Sequence, residues 1–587
     1  MSPTPAAESD ADAAYDARPW LAAYPPEVPA DFAFPQVPLT QLLDDAASAF
    51  PAHGAVTASG TTLTYQQLRW EVDRFGGALA AWGVTPGDRV ALVLPNCPQH
   101  VVAFFAVLRI GATVVQCNPL GTADELAAQL TDCRPAAIVC LDKNLATVEE
   151  LRGALDVRTV VVTTLVDYAP ARQRYRLRLP LPSARADRRR WTEPVPRGAA
   201  VEWFRPAIRR AAPARQHPVD PVTDVAVLQY TGGTTGTPKG AMLSHANLVA
   251  NAYQMRLWLP EATSGRETTL TVLPLFHVYG LTLGLLTNVL LAARLVLVPR
   301  FDVELVFETI ERERPTLFPG VPPMYQAMAD TYRASGGDLS SIRVCVCGAM
   351  RLPTDTQQRF ETLSGARLVE GYGTTESSPA THCNPVVGRS KPGTVGVPLP
   401  GTHARIVDPA DPAVAVSVGQ VGELVVKGPQ VFRGYWSGAA GSPPQAAEQV
   451  LLEDGWLLTG DLASMDADGF FTIVDRKKDL IIAGGFNVYP TEVEGVIAAM
   501  DGVADCCVVG LPDRYRGETV KAYVVPERGA TLDAEGVRAH CAEALSGYKV
   551  PRLVEFRDEL PRTVIGKAMR RMLLAEESER AAAGGAT

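Results

Sequence analysis

The sequence predicts an α/β protein: a large N-terminal domain of two helix-covered sheets plus a small β subdomain, followed by a small α+β C-terminal domain. Three observations carry that prediction. Short Val/Ile/Leu runs alternate with longer helical patterns through much of the chain, the mark of parallel sheets covered by helices. Between Leu399 and Tyr435 the texture changes to short strands with Gly and Pro turns. At 587 residues the chain is also too long for one core, so two or more domains are expected.

Taken in order, the first twenty residues, MSPTPAAESDADAAYDARPW, carry acids and prolines without an apolar core segment. They do not read as a signal peptide, and residues 1–35 are expected to form a flexible extension. "RVALVLPN" (89–96) precedes the helical "QHVVAFFAVLRIGA" (99–112), and "TVVQCN" (113–118) precedes "ADELAAQLTDC" (123–133). Leu126 and Leu130 stand four apart in the latter, on one helical face. "AAIVCLD" (136–142) supplies the next strand. From Thr268 to Ala293 there is no Asp, Glu, Lys or Arg, a stretch long enough to cross a bilayer. Pro274, His277, Gly280 and Asn288 interrupt it, however, and "TLTVLPL" and "ARLVLV" are β-rich ends. A buried strand–helix–strand unit is therefore expected. "ARIVD" (404–408) and "GELVVKG" (422–428) build the β subdomain, completing a domain over 36–476. After "VDRKKD" (474–479) a new unit begins; it is expected over 477–575, with a disordered tail over 576–587.

Apolar content of 47% and charged content of 20% describe an ordinary globular protein. A net charge of −9 argues against a general nucleic-acid binder. None of the ten cysteines forms a CxxC pair, so neither a zinc site nor a disulfide framework is indicated. Reduced thiols in a cytoplasmic protein are the simpler expectation. The segment 170–215 stands apart as a basic loop with thirteen arginines, among them Arg188, Arg189 and Arg190, and with Leu177, Leu179, Trp191, Trp203 and Phe204 interspersed. It reads either as a solvated surface loop or as a peripheral contact with an anionic membrane on its inner face.

The chemistry concentrates in a few stretches. "YTGGTTGTPKG" (230–240) fails the Walker pattern, because Pro238 precedes Lys239 and no Gly-Lys-hydroxyl step exists. Its physical content still suits phosphate. Gly232, Gly233 and Gly236 let the backbone approach closely; Thr231, Thr234, Thr235 and Thr237 add hydroxyl donors, and Lys239 adds a positive charge. A flexible hairpin turn is the competing reading. "VEGYGTTESSP" (369–379) places Tyr372 for stacking on a base, Thr375 for phosphate and Glu376 for Mg²⁺. "DGWLLTGDLA" (454–463) places Asp461 where a carboxylate can accept from two ribose hydroxyls. "VDRKKDLIIAGGFNVYPTEVE" (474–494) offers Arg476 and the Gly484–Gly485 pair, and "LPRTVIGKAMRRML" (560–573) offers Lys567. Taken singly, Glu376 also reads as a helix-start acid, Asp461 as a cap and Lys567 as a surface lysine.

In this order and spacing the stretches resemble the adenylate-forming enzymes, which include acyl-CoA synthetases, aryl-CoA ligases, luciferases and nonribosomal adenylation domains. The resemblance runs from about residue 40 to 574. "DRKKDLIIAGGFNVYPTEVE" and "KPGTVGVPLPG" are most similar to medium- and long-chain fatty-acid–CoA ligases. The resemblance implies activation of a fatty acid with ATP and Mg²⁺ to an acyl-adenylate, release of pyrophosphate, and transfer to CoA with release of AMP. It also implies the roles. The 231–239 loop holds the β- and γ-phosphates, Thr375 the α-phosphate and Glu376 Mg²⁺. Gly348, Ala349, Tyr372 and Gly373 line the adenine site, and Asp461 with Arg476 holds the ribose. Lys567 bridges carboxylate and α-phosphate, and His277, in "PLFHVYG", sits where carboxylate and thiol meet. Without the resemblance His277 reads as a core histidine. The C-terminal domain swings about Lys478, after which Gly484 and Gly485 line the thiol tunnel.

Gly121 stands where many fatty-acid ligases carry an aromatic residue, and Met350 where a proline is common; both bear on local loop geometry alone. The alternatives within the class are an aryl-CoA ligase and a fatty-acyl-AMP ligase that delivers to a carrier protein. Outside it stands a nucleotide-binding scaffold, against which the four residues Lys567, Glu376, Asp461 and Arg476 speak. Partners are expected to be small molecules, with a homodimer as a further option.

Overall fold

The structure, a computed structural model, describes residues 10–153, 155–196, 198–231, 238–335, 337–438, 450–452, 454–563 and 566–584. The chain folds as two compact units: Ala23–His403 with Lys427–Leu457, and Met1–Ala22 with Ala404–Val426 and Leu458–Thr587.

The larger unit is built on helix-covered sheets. Its seven-stranded sheet runs Glu202–Trp203, Thr159–Thr163, Ala137–Leu141, Arg89–Val93, Thr113–Cys117, Val225–Thr231, Lys239–Ser244. Only the last pair is antiparallel. The inner strands are buried on both faces, so every residue of Thr113–Cys117 and Ala137–Leu141 is inside, which is why they read as unbroken apolar runs. A second layer orders Thr268–Thr271, Arg294–Leu297, Gly54–Ala58 and Thr61–Thr64. Leu317 bridges Thr269 to Val344 and so connects this layer to Val344–Cys347, Arg367–Gly373, Ala380–Cys383 and Val397–Pro398.

The charge-free stretch folds as the expected strand–helix–strand, with its helix opening as a π-turn over Gly280–Leu286. Among the described residues no helix is long and apolar enough to cross a membrane. The basic segment differs from expectation. It is not a loop but the helices Ala171–Arg178, Pro182–Trp191 and Phe204–Arg210, because Arg and Ala are strong helix formers and Pro182 takes a first-turn position. Arg188 Nε donates to the Leu177 carbonyl at 2.8 Å and ties the first two helices together.

In the smaller unit, a four-stranded sheet orders His403–Val407, Gly422–Lys427, Leu457–Met465 and Phe471–Arg476. A second sheet orders Phe486–Val488, Ile481–Ala483, Gly517–Pro526 and Val503–Asp513, with Leu553–Phe556 added parallel to Gly517–Pro526. Pro490–Ala498 and Ala534–Ala544 bury Val493, Ile497, Val537 and Cys541 in its core. Two ends expected to be loose are ordered where described. Asp10–Asp16 is helical, and Tyr15 and Trp20 are buried. The final helix, Arg570–Gly584, runs through most of the expected tail, because Glu577 accepts from Lys521 at 2.9 Å and from Tyr523 at 3.0 Å. All ten cysteines are free thiols.

Candidate functional site

The stem of the glycine–threonine loop is a β-hairpin in which Thr231 and Lys239 are cross-strand partners. Gly232, Gly233, Thr234, Thr235, Gly236 and Thr237 lie outside the described residues. Along the open edge of Lys239–Ser244 runs the segment 432–436, held by Met242 N–H to Gly434 O at 2.9 Å and Trp436 N–H to Gly240 O at 2.7 Å. That pairing sets Tyr435. Its hydroxyl donates to Glu376 Oε1 at 2.6 Å, and Lys239 Nζ stands 5.6 Å from its ring centre. Burial, and then the Glu376 charge, push the Tyr435 hydroxyl well above its ordinary pKa, so it remains a donor. Phe432 N–H also donates to the Glu376 carbonyl at 2.8 Å. Thus Lys239 and Glu376, 137 positions apart by their numbers, meet through a tyrosine that sequence reasoning missed. Its only signal was an aromatic pair in "RGYW".

Gly348, Ala349, Tyr372 and Gly373 all lie at the carboxyl ends of two parallel strands, Val344–Cys347 and Arg367–Gly373. That is the edge where open α/β sheets bind ligands. Ala349 takes a left-handed φ of +69° and is exposed. Beneath it, Tyr279 donates to the carbonyls of Val346 at 2.8 Å and Gly320 at 3.1 Å. Its ring carbon would lie 3.1 Å from a Cβ at Gly348. Gly373 has no latitude at all: a Cβ there would meet Pro379 O at 1.8 Å. The next turn is capped reciprocally, with Thr374 N–H donating to Ser377 Oγ at 3.1 Å and Ser377 N–H donating to the Thr374 carbonyl at 3.0 Å, and it presents Thr375 and Glu376.

His277 sits on the segment entering the π-turn. Gln229 Nε2 donates to the Phe276 carbonyl at 2.9 Å, and Leu275 N–H donates to the buried Asn96 at 2.8 Å. The Tyr279 N–H donates to His277 Nδ1 at 3.2 Å, which assigns the ring proton to Nε2. Burial lowers the His277 pKa to about 4, so it is neutral at physiological pH. The elements that carry His277 and Gly348 also wall an apolar cavity between Met255, Leu259, Leu283, Phe318, Val344 and Val346.

In the smaller unit, Asp461 and Arg476 are cross-strand partners, and Arg476 Nε lies 2.9 Å from Asp461 Oδ1. Asp461 is 3% exposed. Glu423 braces this corner, accepting from Gly460 N–H at 3.2 Å and Lys477 Nζ at 2.8 Å. Lys567 is tied to Thr563, whose N–H donates to the Lys567 carbonyl at 2.8 Å and whose Oγ1 accepts from the Lys567 N–H at 3.1 Å. Burial lowers its pKa to about 8, the charges of Arg476 and Arg570 add to that, and Asp461 and Asp479 oppose it. Lys478 is lowered by burial and by Arg476. The structure therefore brings Asp461, Arg476, Lys478 and Lys567 into one charged group, ordered by Arg570, which pairs with Glu494 at 2.7 Å and Asp479 at 3.3 Å. Gly484 and Gly485 form the two-residue turn between Ile481–Ala483 and Phe486–Val488, with φ of +64° and +84°; two successive positive φ values favour glycine at both positions.

The sequence matches the AMP-binding enzyme family over residues 43–436 and the AMP-binding enzyme C-terminal domain over residues 492–567. It is 40% identical to a long-chain-fatty-acid–CoA ligase of Bacillus subtilis, over 96% of this chain and 98% of the relative. It is 36% identical to a feruloyl-CoA synthase of Amycolatopsis, over 89% and 95%. Among solved structures, ATP-bound MatB from Rhodopseudomonas palustris superposes with a TM-score of 0.77 at 30% identity, covering 91% of this chain and 98% of that one.

Proposed function

The chain belongs to the AMP-binding enzyme family, and from that premise we propose that it is an acyl-CoA synthetase. It activates a medium- to long-chain fatty acid with ATP, releasing pyrophosphate, and transfers the acyl group to CoA, releasing AMP. The observation that carries this reading is the charged group around Lys567, a half-buried lysine held beside Asp461 and Arg476.

Phosphate chemistry of this kind needs positioning and charge neutralisation more than proton transfer. Lys239, with the loop before it, holds the leaving pyrophosphate. Thr375 contacts the α-phosphate, and Gly348, Ala349, Tyr372 and Gly373 line the adenine. Asp461 accepts from the ribose hydroxyls while Arg476 fixes its orientation. Lys567 places its ammonium between the attacking carboxylate and the α-phosphate. A Mg²⁺ ion fits the donor set: Glu376 gives one carboxylate whose Oε1 is fixed by Tyr435, and this ion typically takes one or two carboxylates beside phosphate oxygens. When bound, it neutralises phosphate charge. Neutral His277 offers Nε2–H to the acid and leaves no cation in the path of the thiol.

Lys478, in the short turn after Arg476, is the hinge of a domain 477–575 that turns between the half-reactions. That turn exchanges Lys567 for the Gly484–Gly485 loop, next to which Ile482 and Phe486 are 52% and 56% exposed. Peripheral contact with an anionic membrane belongs to the same reading. Arg172, Arg178, Arg185 and Arg189 are exposed beside Tyr175 and Leu181, a basic face with apolar anchors. Failure to sediment with anionic vesicles at low salt would remove that contact. The relative named feruloyl-CoA synthase favours one second reading, an aryl acid in place of the alkyl one.

The test is AMP and pyrophosphate release with acetate to palmitate, cinnamate and benzoate, with and without CoA. CoA-dependent AMP release that peaks with alkyl acids is expected. A peak with cinnamate gives the second reading, acyl-AMP without thioester points to a carrier acceptor, and no turnover on any acid counts against the enzyme.

A further inference from the structure

The apolar cavity beside the His277 segment has three polar residues in its wall, Thr269, Thr287 and Asn288, none of which the chemistry above uses. Thr287 lines it and is 3% exposed, and its hydroxyl has no hydrogen-bond partner among the described residues. A helical threonine normally returns its hydroxyl to the carbonyl four residues back. Here that carbonyl is Leu283 O, and it is already taken by Asn288 Nδ2 at 2.6 Å. The π-turn displaces the remaining bonds: Thr287 N–H donates to Thr282 O, and Gly284 O accepts from Thr271 at 3.4 Å. The other polar residues of the wall satisfy each other, since Thr269 donates to Asn288 Oδ1 at 2.5 Å. The cavity is otherwise lined by Leu, Met, Phe, Pro and Val. Valine has the shape of threonine without the hydroxyl, and it would serve a purely alkyl occupant better, because an unpaired buried hydroxyl is destabilising.

Resting on the acyl-activating reading, we infer that Thr287 selects acids that carry an oxygen at the distal end of the acyl group. A hydroxyl both donates and accepts, so a distal hydroxyl, carbonyl or ether oxygen completes its hydrogen bond. A plain methyl end leaves it unpaired. The open space, about 30 Å³, admits a water-sized group, which matches a terminal oxygen and its carbon better than a bulky substituent. Two sources share this chemistry: an ω-oxygenated alkyl acid and a ring-oxygenated aryl acid.

The experiment compares octanoate with its ω-hydroxy counterpart, and cinnamate with para-hydroxycinnamate, on the wild type, Thr287→Val and Thr287→Ser. Two readouts are taken: kcat/KM for CoA-dependent AMP release, and acid dissociation constants by calorimetry, which need no turnover. The wild type is expected to favour the oxygenated member of one pair by about 10-fold, the scale of one neutral hydrogen bond. Thr287→Ser keeps that ratio and Thr287→Val brings it near parity. The pair that responds identifies the alkyl or the aryl source. An unchanged ratio in Thr287→Val, or no preference in either wild-type pair, overturns the role of Thr287. Absence of AMP release with all four acids would instead sink the activation reading, while the dissociation constants still decide on Thr287.

Discussion

In the larger unit, Glu376, Lys239 and Gly348 reach their places through backbone geometry. A hairpin register, a strand laid along its edge and a glycine pressed against Tyr279 fix them before any charge is considered. In the smaller unit, the corresponding work falls to charge. Asp461, Arg476, Asp479 and Arg570 act on a lysine whose own pKa they help to set, and Glu494 holds Arg570 in place. The contrast fits the division of labour proposed for the two half-reactions. Nucleotide phosphates need fixed donors at fixed points, whereas a residue that must arrive, act and leave is better held by interactions that reform when it returns.

Substitutions on each side sharpen that contrast. The largest effect short of removing the lysine is expected for Glu376→Gln, which keeps the Tyr435 hydrogen bond but withdraws the charge proposed to hold Mg²⁺. Adenylation should fall by about 10²-fold, with partial recovery at raised Mg²⁺; a loss that no Mg²⁺ concentration touches would assign Glu376 a structural role instead.

The next effect belongs to the smaller unit and to pH. Lys567 has its pKa lowered to about 8, so its ammonium is largely present at pH 7 and mostly lost at pH 9. The kcat/KM for adenylation, which reports the free enzyme, should decline roughly 10-fold across that interval. The same profile in Lys567→Arg should stay flat, because guanidinium does not titrate there; a matching decline in that variant would locate the titration elsewhere.

Smallest is Tyr435→Phe, which leaves the carboxylate charged but unanchored. A loss of about 3- to 10-fold in adenylation, with melting temperature little changed, is expected, because the charge stays and one orienting contact of ordinary net strength is lost. A full loss of activity would mean that Tyr435 does more than orient Glu376.

How much of this was legible depended on what kind of contact made the element. Arg89–Val93, Thr113–Cys117 and Ala137–Leu141 could be read because strands buried on both faces must be apolar throughout. The β subdomain was legible only in half. His403–Val407 and Gly422–Lys427 showed as strands, but the two that complete their sheet, Leu457–Met465 and Phe471–Arg476, were masked by the polar motif residues they carry. The basic helices were read as loop because a run of arginines has no apolar period to reveal a helix. At the site, residues such as Glu376, Asp461 and Lys567 stood out by their motifs. Tyr435, Tyr279 and Arg570 did not, since each acts by long-range packing or pairing that no local spacing encodes.

If Lys567 serves adenylation alone, the two half-reactions come apart in Lys567→Ala. Pyrophosphate exchange measures the first step, and thioester formation from a supplied acyl-adenylate and CoA measures the second. The exchange is expected to fall on the order of 10³-fold, with thioester formation within a few-fold of wild type. Equal loss in both steps would contradict it.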